Sequence, residues 1–281
     1  MKATWSTLFL IPASAALSHV SSTVPSRFRN ATIDDLDDIT TVAIEAFKPS
    51  PLFNYIRQFA DEVGEEYTWT CQREGYLALF QQHAAEYRFQ VITVPEPTSL
   101  TGEKVVSVSV WDVSRTQHHR DDELSLISLS PLLGHSMSQT THSSANYGHA
   151  SGFNCSAHLD MNLTRVAHYQ QYMEDAERKY LAEPFGAQLY LGLLATHPSW
   201  DGNGFAARHL RWGKAQLELL RKQPGARLPM TLLATPAGYP LYIDEGFKAL
   251  KNVTMERLDG KGLFWHEAMS YEQLSGQLDE L

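Results

Sequence analysis

The stretch HPSWDGNGFAARHL, residues 197–210, joins two apolar patterns of different kinds. Before it runs AQLYLGLLAT (187–196), apolar on both faces, which reads as a central, covered strand. From its middle onward, Phe205, Leu210, Gly213, Leu217 and Leu220 recur at helical spacing, with Arg208, Arg211 and Lys214 facing elsewhere. A strand, a glycine turn and a helix in that order aim free backbone N–H groups at an anion, because glycine lets the main chain come close and the helix dipole favours negative charge. WDGNGFA is therefore a candidate pyrophosphate cradle. It lacks the Lys-Ser/Thr of a P-loop and sits late in the chain, whereas a dinucleotide fingerprint opens the first βαβ unit, so both of those readings recede.

Downstream of the cradle, MTLLAT (230–235) reads as a strand and AGYPLYIDEGF (237–247) as a short helix ended by Gly246; KALKNVTMERL (248–258) and GLFWHEAMS (262–270) read as further strands. Upstream, SRFRNAT (26–32) is a short strand. TIDDLDDITTVAIEAF (32–47) follows with Leu36, Ile39, Ala43 and Phe47 at helical spacing. Thr32 and Asp35 make a capping-box-like start, so the acidic cluster reads as capping chemistry before it reads as a metal site. PSPLFNYIRQF and EEYTWTCQREGYLALFQQHAAEY are helical, RFQVITV and KVVSVSVWDVS are strands, and RVAHYQQYMEDAERKYLAEP is a polar helix. Between Arg115 and Asn162 no period persists; the stretch is rich in Ser and His and reads as a long insertion or lid, its histidine spacings too irregular for a metal site.

The chain has 281 residues, 43% of them apolar, enough for one large domain with a proper core. A formal charge of -9 without a long Lys/Arg run disfavours nucleic acid and anionic membrane as partners. Residues 1–18 have the layout of a secretory signal, too short and too broken for a membrane span, although an unprocessed cytoplasmic extension is the alternative. Four of the seven asparagines, Asn30, Asn154, Asn162 and Asn252, begin N-x-S/T triplets; Asn154 and Asn162, in or beside the insertion, are the better glycan acceptors because the other two fall on strands. Cys71 and Cys155 permit one disulfide or two buried thiols.

Two segments at a fixed spacing, LYLGLLATHPSWDGNGFAARHL (189–210) and LLATPAGYPLYIDEGF (232–247), resemble the GNAT superfamily of acetyl-CoA-dependent N-acetyltransferases, particularly its small-molecule members from fungi. The family loop, Gln or Arg followed by x-x-Gly-x and then Gly or Ala, is matched by Asp201-Gly202-Asn203-Gly204-Phe205-Ala206. Its later LYxxxGF motif is matched by Leu241, Tyr242, Gly246 and Phe247. The resemblance covers about residues 26–114 and 185–270, leaving the insertion outside it.

That resemblance implies an α/β fold: a mixed, mostly antiparallel sheet of six or seven strands, its central parallel pair splayed, with helices on both faces. It implies acetyl-CoA as co-substrate, with the pantetheine arm in the gap against the backbone of Leu193, Leu194 and Ala195, and the pyrophosphate on the N–H groups of Gly202 to Ala206. The amine would attack the thioester directly, and Tyr242 would protonate the departing thiolate. His197 is the first candidate for general base, with Glu183 and Glu267 behind it and a water chain as substitute. Asp201 departs from the family's Gln or Arg, and a carboxylate aimed at a pyrophosphate would repel it unless it points to solvent or caps the helix. The reading is an N-acetyltransferase acting on a primary amine of a small molecule. A GNAT-like binding module without catalysis, or a protein lysine or N-terminal acetyltransferase, are the alternatives. Phe47 to Tyr55 and the insertion would build the acceptor pocket; the amine's identity and the oligomeric state stay open.

Overall fold

The computed structural model describes residues 24–99, 101–116, 152–220 and 228–272; the leader and the middle of the Ser/His-rich stretch lie outside the described residues. In chain order the elements are β1 (Arg27–Asn30), α1 (Leu36–Phe47), α2 (Pro51–Ile56), α3 (Ala60–Val63), α4 (Glu65–Gln82), β2 (Tyr87–Pro95) and β3 (Glu103–Asp112). There follow α5 (Leu163–Glu177), α6 (Glu183–Phe185), β4 (Leu189–Thr196), α7 (Phe205–Leu220), β5 (Met230–Ala234), α8 (Tyr239–Asp244), β6 (Lys248–Glu256) and β7 (Leu263–Tyr271).

The strands form a seven-stranded sheet in the order β1-β2-β3-β4-β5-β7-β6. Every pairing is antiparallel except β4 with β5. This is the expected mixed sheet, and its parallel pair is splayed: the register holds only for Leu189↔Met230 and Tyr190↔Thr231. β4 then continues to Thr196 bonded to β3 alone, while β5 continues to Ala234 bonded to β7.

Alternation along β3 assigns the helices to opposite faces. Val108 and Val110 join Leu36, Ile39, Val42 and Leu79 in the core under α1 and α4. Trp111, one residue out of phase, joins Leu210 and Leu217 of α7 together with Leu191, Met230, Leu232 and Met269. α7 can sit this close because Gly213 has no side chain: a Cβ there would lie 2.7 Å from Met230 Sδ and nearer still to the Trp111 ring. The Asp cluster before α1 is indeed a start signal. Asp35 accepts the Thr32 N–H at 2.7 Å and takes a forked ion pair from Arg29 at 2.6 and 2.8 Å, tying the helix to the edge strand.

The Ser/His-rich stretch is narrower than an irregular run from Arg115 to Asn162. At its near end Arg115 is bonded to Asp112 at 2.6 Å and to Glu177, and its guanidinium lies 4.4 Å over the Tyr190 ring. At its far end a disulfide joins Cys155 to Cys71 of α4, and buried Asp160 receives Arg57 and, at 3.1 Å, the Thr68 hydroxyl. Charges removed from water need such partners, so both ends are built into the domain rather than looped out of it. Asn162 is half-buried and caps α5: its Oδ1 accepts the Arg165 N–H at 3.1 Å while its Nδ2 donates to Gln58 at 2.8 Å.

Cys71 and Cys155 are 84 residues apart in sequence, so the bridge removes a large amount of freedom from the unfolded chain, worth about 4.5 kcal/mol by loop-closure entropy. Cys155→Ser should lower unfolding stability by an amount of that order. Chemical denaturation of the variant beside the oxidised parent measures it, and reductant should lower the parent to the variant's value.

Candidate functional site

The turn between β4 and α7 is held by its own side chains. His197 ends the β3 ladder by donating its main-chain N–H to Val106 O at 2.9 Å. Its Nδ1 then accepts the Ser199 N–H at 3.2 Å, capping the 3₁₀ turn Pro198–Trp200. Asn203 Nδ2 donates to Trp200 O at 2.9 Å. Gly202 and Gly204 both adopt positive φ, +78° and +69°, with open space where a Cβ would stand. Phe205 is buried with Ile92, Val94 and Val106, which fixes where the helix begins.

The consequence is a concave run of donors. Among the described residues no protein acceptor receives the main-chain N–H of Gly202, Asn203, Gly204, Phe205, Ala206 or Ala207; the ladder of α7 begins with Arg208 N–H to Gly204 O at 3.2 Å. Such a nest at the N-terminus of a 16-residue helix concentrates positive potential. The flanking cations contribute less than their positions in sequence suggest. Lys214 is taken by Glu245 at 2.7 Å and Arg208 donates to Ser26 at 2.6 Å. Asp201 is exposed, and its carboxylate makes no hydrogen bond or ion pair among the described residues; it neither caps α7 nor has a neutralising partner. A solvated carboxylate repels an anion weakly compared with an enclosed one.

Beside the nest, β4 presents main chain. His197 with Val106 is a hydrogen-bonded pair, so by antiparallel alternation Ala195 with Val108 and Leu193 with Val110 are too. The polar main-chain groups of Leu193 and Ala195 are thus engaged with β3. Those of Leu194 and Thr196 turn the other way, toward the side where β5 has parted, and no ladder pair meets them. Of the three residues expected to face the gap, Leu194 does so through its backbone, and Thr196 joins it. Gly192 is skipped in the register, the bulge that accompanies the parting.

Tyr242 lies on α8, the helix after β5, and its ring packs 5.5 Å from Phe247 in the cluster shared by α7 and β5. Burial pushes its phenol well above the usual range, and the hydroxyl has no hydrogen-bond partner among the described residues. It therefore keeps its proton at neutral pH. The carboxylates considered as bases are occupied: Glu183 is exposed and accepts from Arg178 at 2.8 Å, and buried Glu267, opposite Ala234, accepts from Asn252 at 3.0 Å. His197 keeps one ring nitrogen outside its capping bond.

Two buried histidines escape a reading by apolar periodicity. His266 on β7 touches the Tyr172 hydroxyl at 3.2 Å through Nδ1, and burial lowers its pKa to about 4. His209 on α7 is fully buried between Ser109, 2.8 Å from Nδ1, and Ser107, 3.1 Å from Nε2; burial, and to a lesser extent Arg208, pushes it down to about 3. The one signal in sequence was the Ser-Val-Ser-Val-Trp alternation at 107–111, a polar face on a strand covered on both sides.

No protein-family model matches the chain, and no curated protein sequence matches it. Solved structures resemble it at low identity. One is a Corynebacterium glutamicum protein described as histone acetyltransferase HPA2 and related acetyltransferase, 18% identical, with 90% of this chain and 99% of that one covered and a TM-score of 0.47. A mosquito arylalkylamine N-acetyltransferase like 5b is 11% identical over 89% of this chain and 100% of that one, with a TM-score of 0.48. Arabidopsis thaliana NAA60 in complex with acetyl-CoA is 11% identical over 90% and 100%, with a TM-score of 0.45.

Both buried histidines are neutral in the fold and titrate near 6.5 when unfolded, so the unfolded chain binds more protons between about pH 4 and 6.5. Their contribution is complete above that window and is lost as pH falls through it. Moving from pH 7 to pH 5 should cost about 2 kcal/mol for each, and urea titrations at the two pH values should show the midpoint fall.

Proposed function

We propose that the protein is an N-acetyltransferase that moves an acetyl group from acetyl-CoA to a primary amine of a small molecule. The observation that carries this reading is the run of unbonded N–H groups from Gly202 to Ala207, set beside the main chain of Leu194 and Thr196 where β4 leaves β5. A diphosphate fits the first by charge and hydrogen-bond type, and a secondary amide fits the second as a further strand would. Few ligands carry both a pyrophosphate and an extended chain of amides, and the CoA moiety does. Gly202 and Gly204, having no side chains, let the diphosphate reach the N–H groups.

Bound acetyl-CoA supplies an activated thioester, so that an amine attacking its carbonyl forms the C–N bond as the C–S bond breaks. The chain's task is then binding, alignment and two proton transfers. Tyr242, protonated at neutral pH as a phenol is, supplies a proton to the leaving sulfur. Neither cysteine acts, because both are in the disulfide. His197 Nε2, in the turn that follows β4 and precedes the cradle, receives the amine's proton directly or through water.

Thermal unfolding with acetyl-CoA at about 100 times its dissociation constant should register roughly 2.7 kcal/mol of added stability. No shift at millimolar ligand would leave the binding-module alternative. Tyr242→Phe removes a hydroxyl that bonds to nothing among the described residues, so the variant should fold as the parent does and bind acetyl-CoA equally, while kcat falls about 100-fold. An unchanged kcat at neutral and alkaline pH would remove Tyr242 as the acid.

The reading extends to location: a secreted or secretory-lumen glycoprotein. The Cys71–Cys155 bridge supports an oxidising compartment, and exposed Asn154, beside Cys155, supports a glycan there more than the capping Asn162 does. Digestion of the natural protein with an N-glycosidase should reduce its mass, and Asn154→Gln should abolish the reduction; an unmoved mass refutes it.

A further inference from the structure

The network around His209 has only one consistent arrangement of protons. Trp111 Nε1 can only donate, and it bonds Ser109 Oγ at 2.8 Å. The Ser109 hydroxyl must then pass its own proton on, to His209 Nδ1 at 2.8 Å. A neutral ring that accepts at Nδ1 carries its hydrogen on Nε2, which donates to Ser107 Oγ at 3.1 Å. Ser107 in turn donates to Ala195 O at 2.9 Å, a carbonyl that can only accept. The chain thus runs one way, Trp111 to Ser109 to His209 to Ser107 to Ala195, and all four side chains are buried at 0% exposure. Protonating the ring would place an N–H against Ser109, which already accepts from Trp111 and would be left with no acceptor for its own proton.

Two members of this chain, His209 and Ala195, belong to the two halves of the proposed donor site. His209 stands one helical turn after Phe205, on the buried stripe of α7 that continues to Gly213, so it sets the depth and azimuth of the helix whose first turn is the nest. Ala195 O belongs to the same peptide group as the Thr196 N–H, the donor turned toward the parted β5. A carbonyl that accepts a hydrogen bond both orients its peptide and strengthens the N–H on its other side. Ser107 also lies 2.9 Å from Thr196 Oγ1, holding that residue a second time.

We infer that His209 is a positioning residue, which keeps the pyrophosphate nest and the Ala195–Thr196 peptide in one fixed registry so that the pyrophosphate and the pantetheine amides of one CoA are met at once. This rests on the acetyl-CoA reading above. It assigns His209 no contact with the ligand; it acts through Ser107 on one side and through the first turn of α7 on the other.

Two substitutions separate the arms of the ring. His209→Gln places an amide near the position of Nε2 and keeps the bond to Ser107, whereas His209→Asn reaches only as far as Nδ1 and keeps the bond to Ser109. Both should lower the melting temperature to similar extents. Calorimetric titration with acetyl-CoA should find the Gln variant within about threefold of the parent and the Asn variant about tenfold weaker, one hydrogen bond's worth. Ser107→Ala should match Asn, and in both weak variants the KM for acetyl-CoA should rise with kcat little changed. Equal affinity in all variants, or equal loss in Gln and Asn, overturns the inference while leaving the acetyl-CoA reading intact. Failure of the parent to bind removes that reading and the inference with it. In the parent, NMR of the ring nitrogens should show hydrogen on Nε2 and none on Nδ1 down to about pH 4; the opposite tautomer refutes the proton chain.

Discussion

A strand in the middle of a sheet normally satisfies both of its edges, and β4 does not. It stays paired with β3 from Tyr190 to Thr196, the bulge at Gly192 apart, but leaves β5 after Tyr190, so the main-chain groups of Leu194 and Thr196 stand in the interior of the sheet without ladder partners. Unpaired backbone at such a place is costly, and sequence and packing are arranged to sustain it. The bulge at Gly192 absorbs the change of direction, α1 and α4 hold Leu193 and Ala195 from one face, and α7 holds Leu191 and Leu194 from the other. Closing the gap would extend the single ladder between β4 and β5 and would abolish the cleft. The fold keeps the cleft open by committing the neighbouring surfaces elsewhere.

Most of the architecture was legible because the elements carry unmixed signals. β4 is apolar on both faces, α7 has a clear apolar stripe, and the strand-glycine-helix order around Gly202 and Gly204 has few other uses. Asp35 could be read as a cap because its spacing from Thr32 is a local property. The parts that escaped depend on contacts distant in sequence. His209 looks like a polar interruption of the α7 stripe until Ser107 and Ser109, about a hundred residues away, are seen to meet it. Lys214 looks like a spare cation until Glu245 is found beside it. Asn162 looks like an available sequon until it is found capping α5. In the gap, the sequence singled out Leu193, Leu194 and Ala195 but not which peptides turn away from β3, since that follows from register alone and brings in Thr196.

The electrostatic character of the cradle is set by backbone more than by side chains. Arg208 and Lys214 are bound to other groups, and the cradle's one acid, Asp201, is exposed to solvent. Fixed N–H dipoles cost nothing to reorganise when an anion arrives, whereas mobile lysines and arginines must be immobilised. A cradle of this kind loses little by carrying an acid at its rim, provided that acid remains hydrated.

The segment following Thr116 leaves from a post fixed by Arg115 to Asp112, Glu177 and Tyr190, and the chain returns at a post fixed by Cys155 to Cys71 and by Asp160 to Arg57. Each post is anchored by contacts that lie wholly among the described residues, so its hold on the domain does not depend on what joins the two. A change in the number of residues between the posts would therefore act on the unfolded chain through loop-closure entropy, about 0.6 kcal/mol for each doubling, and would leave the anchoring contacts as they are.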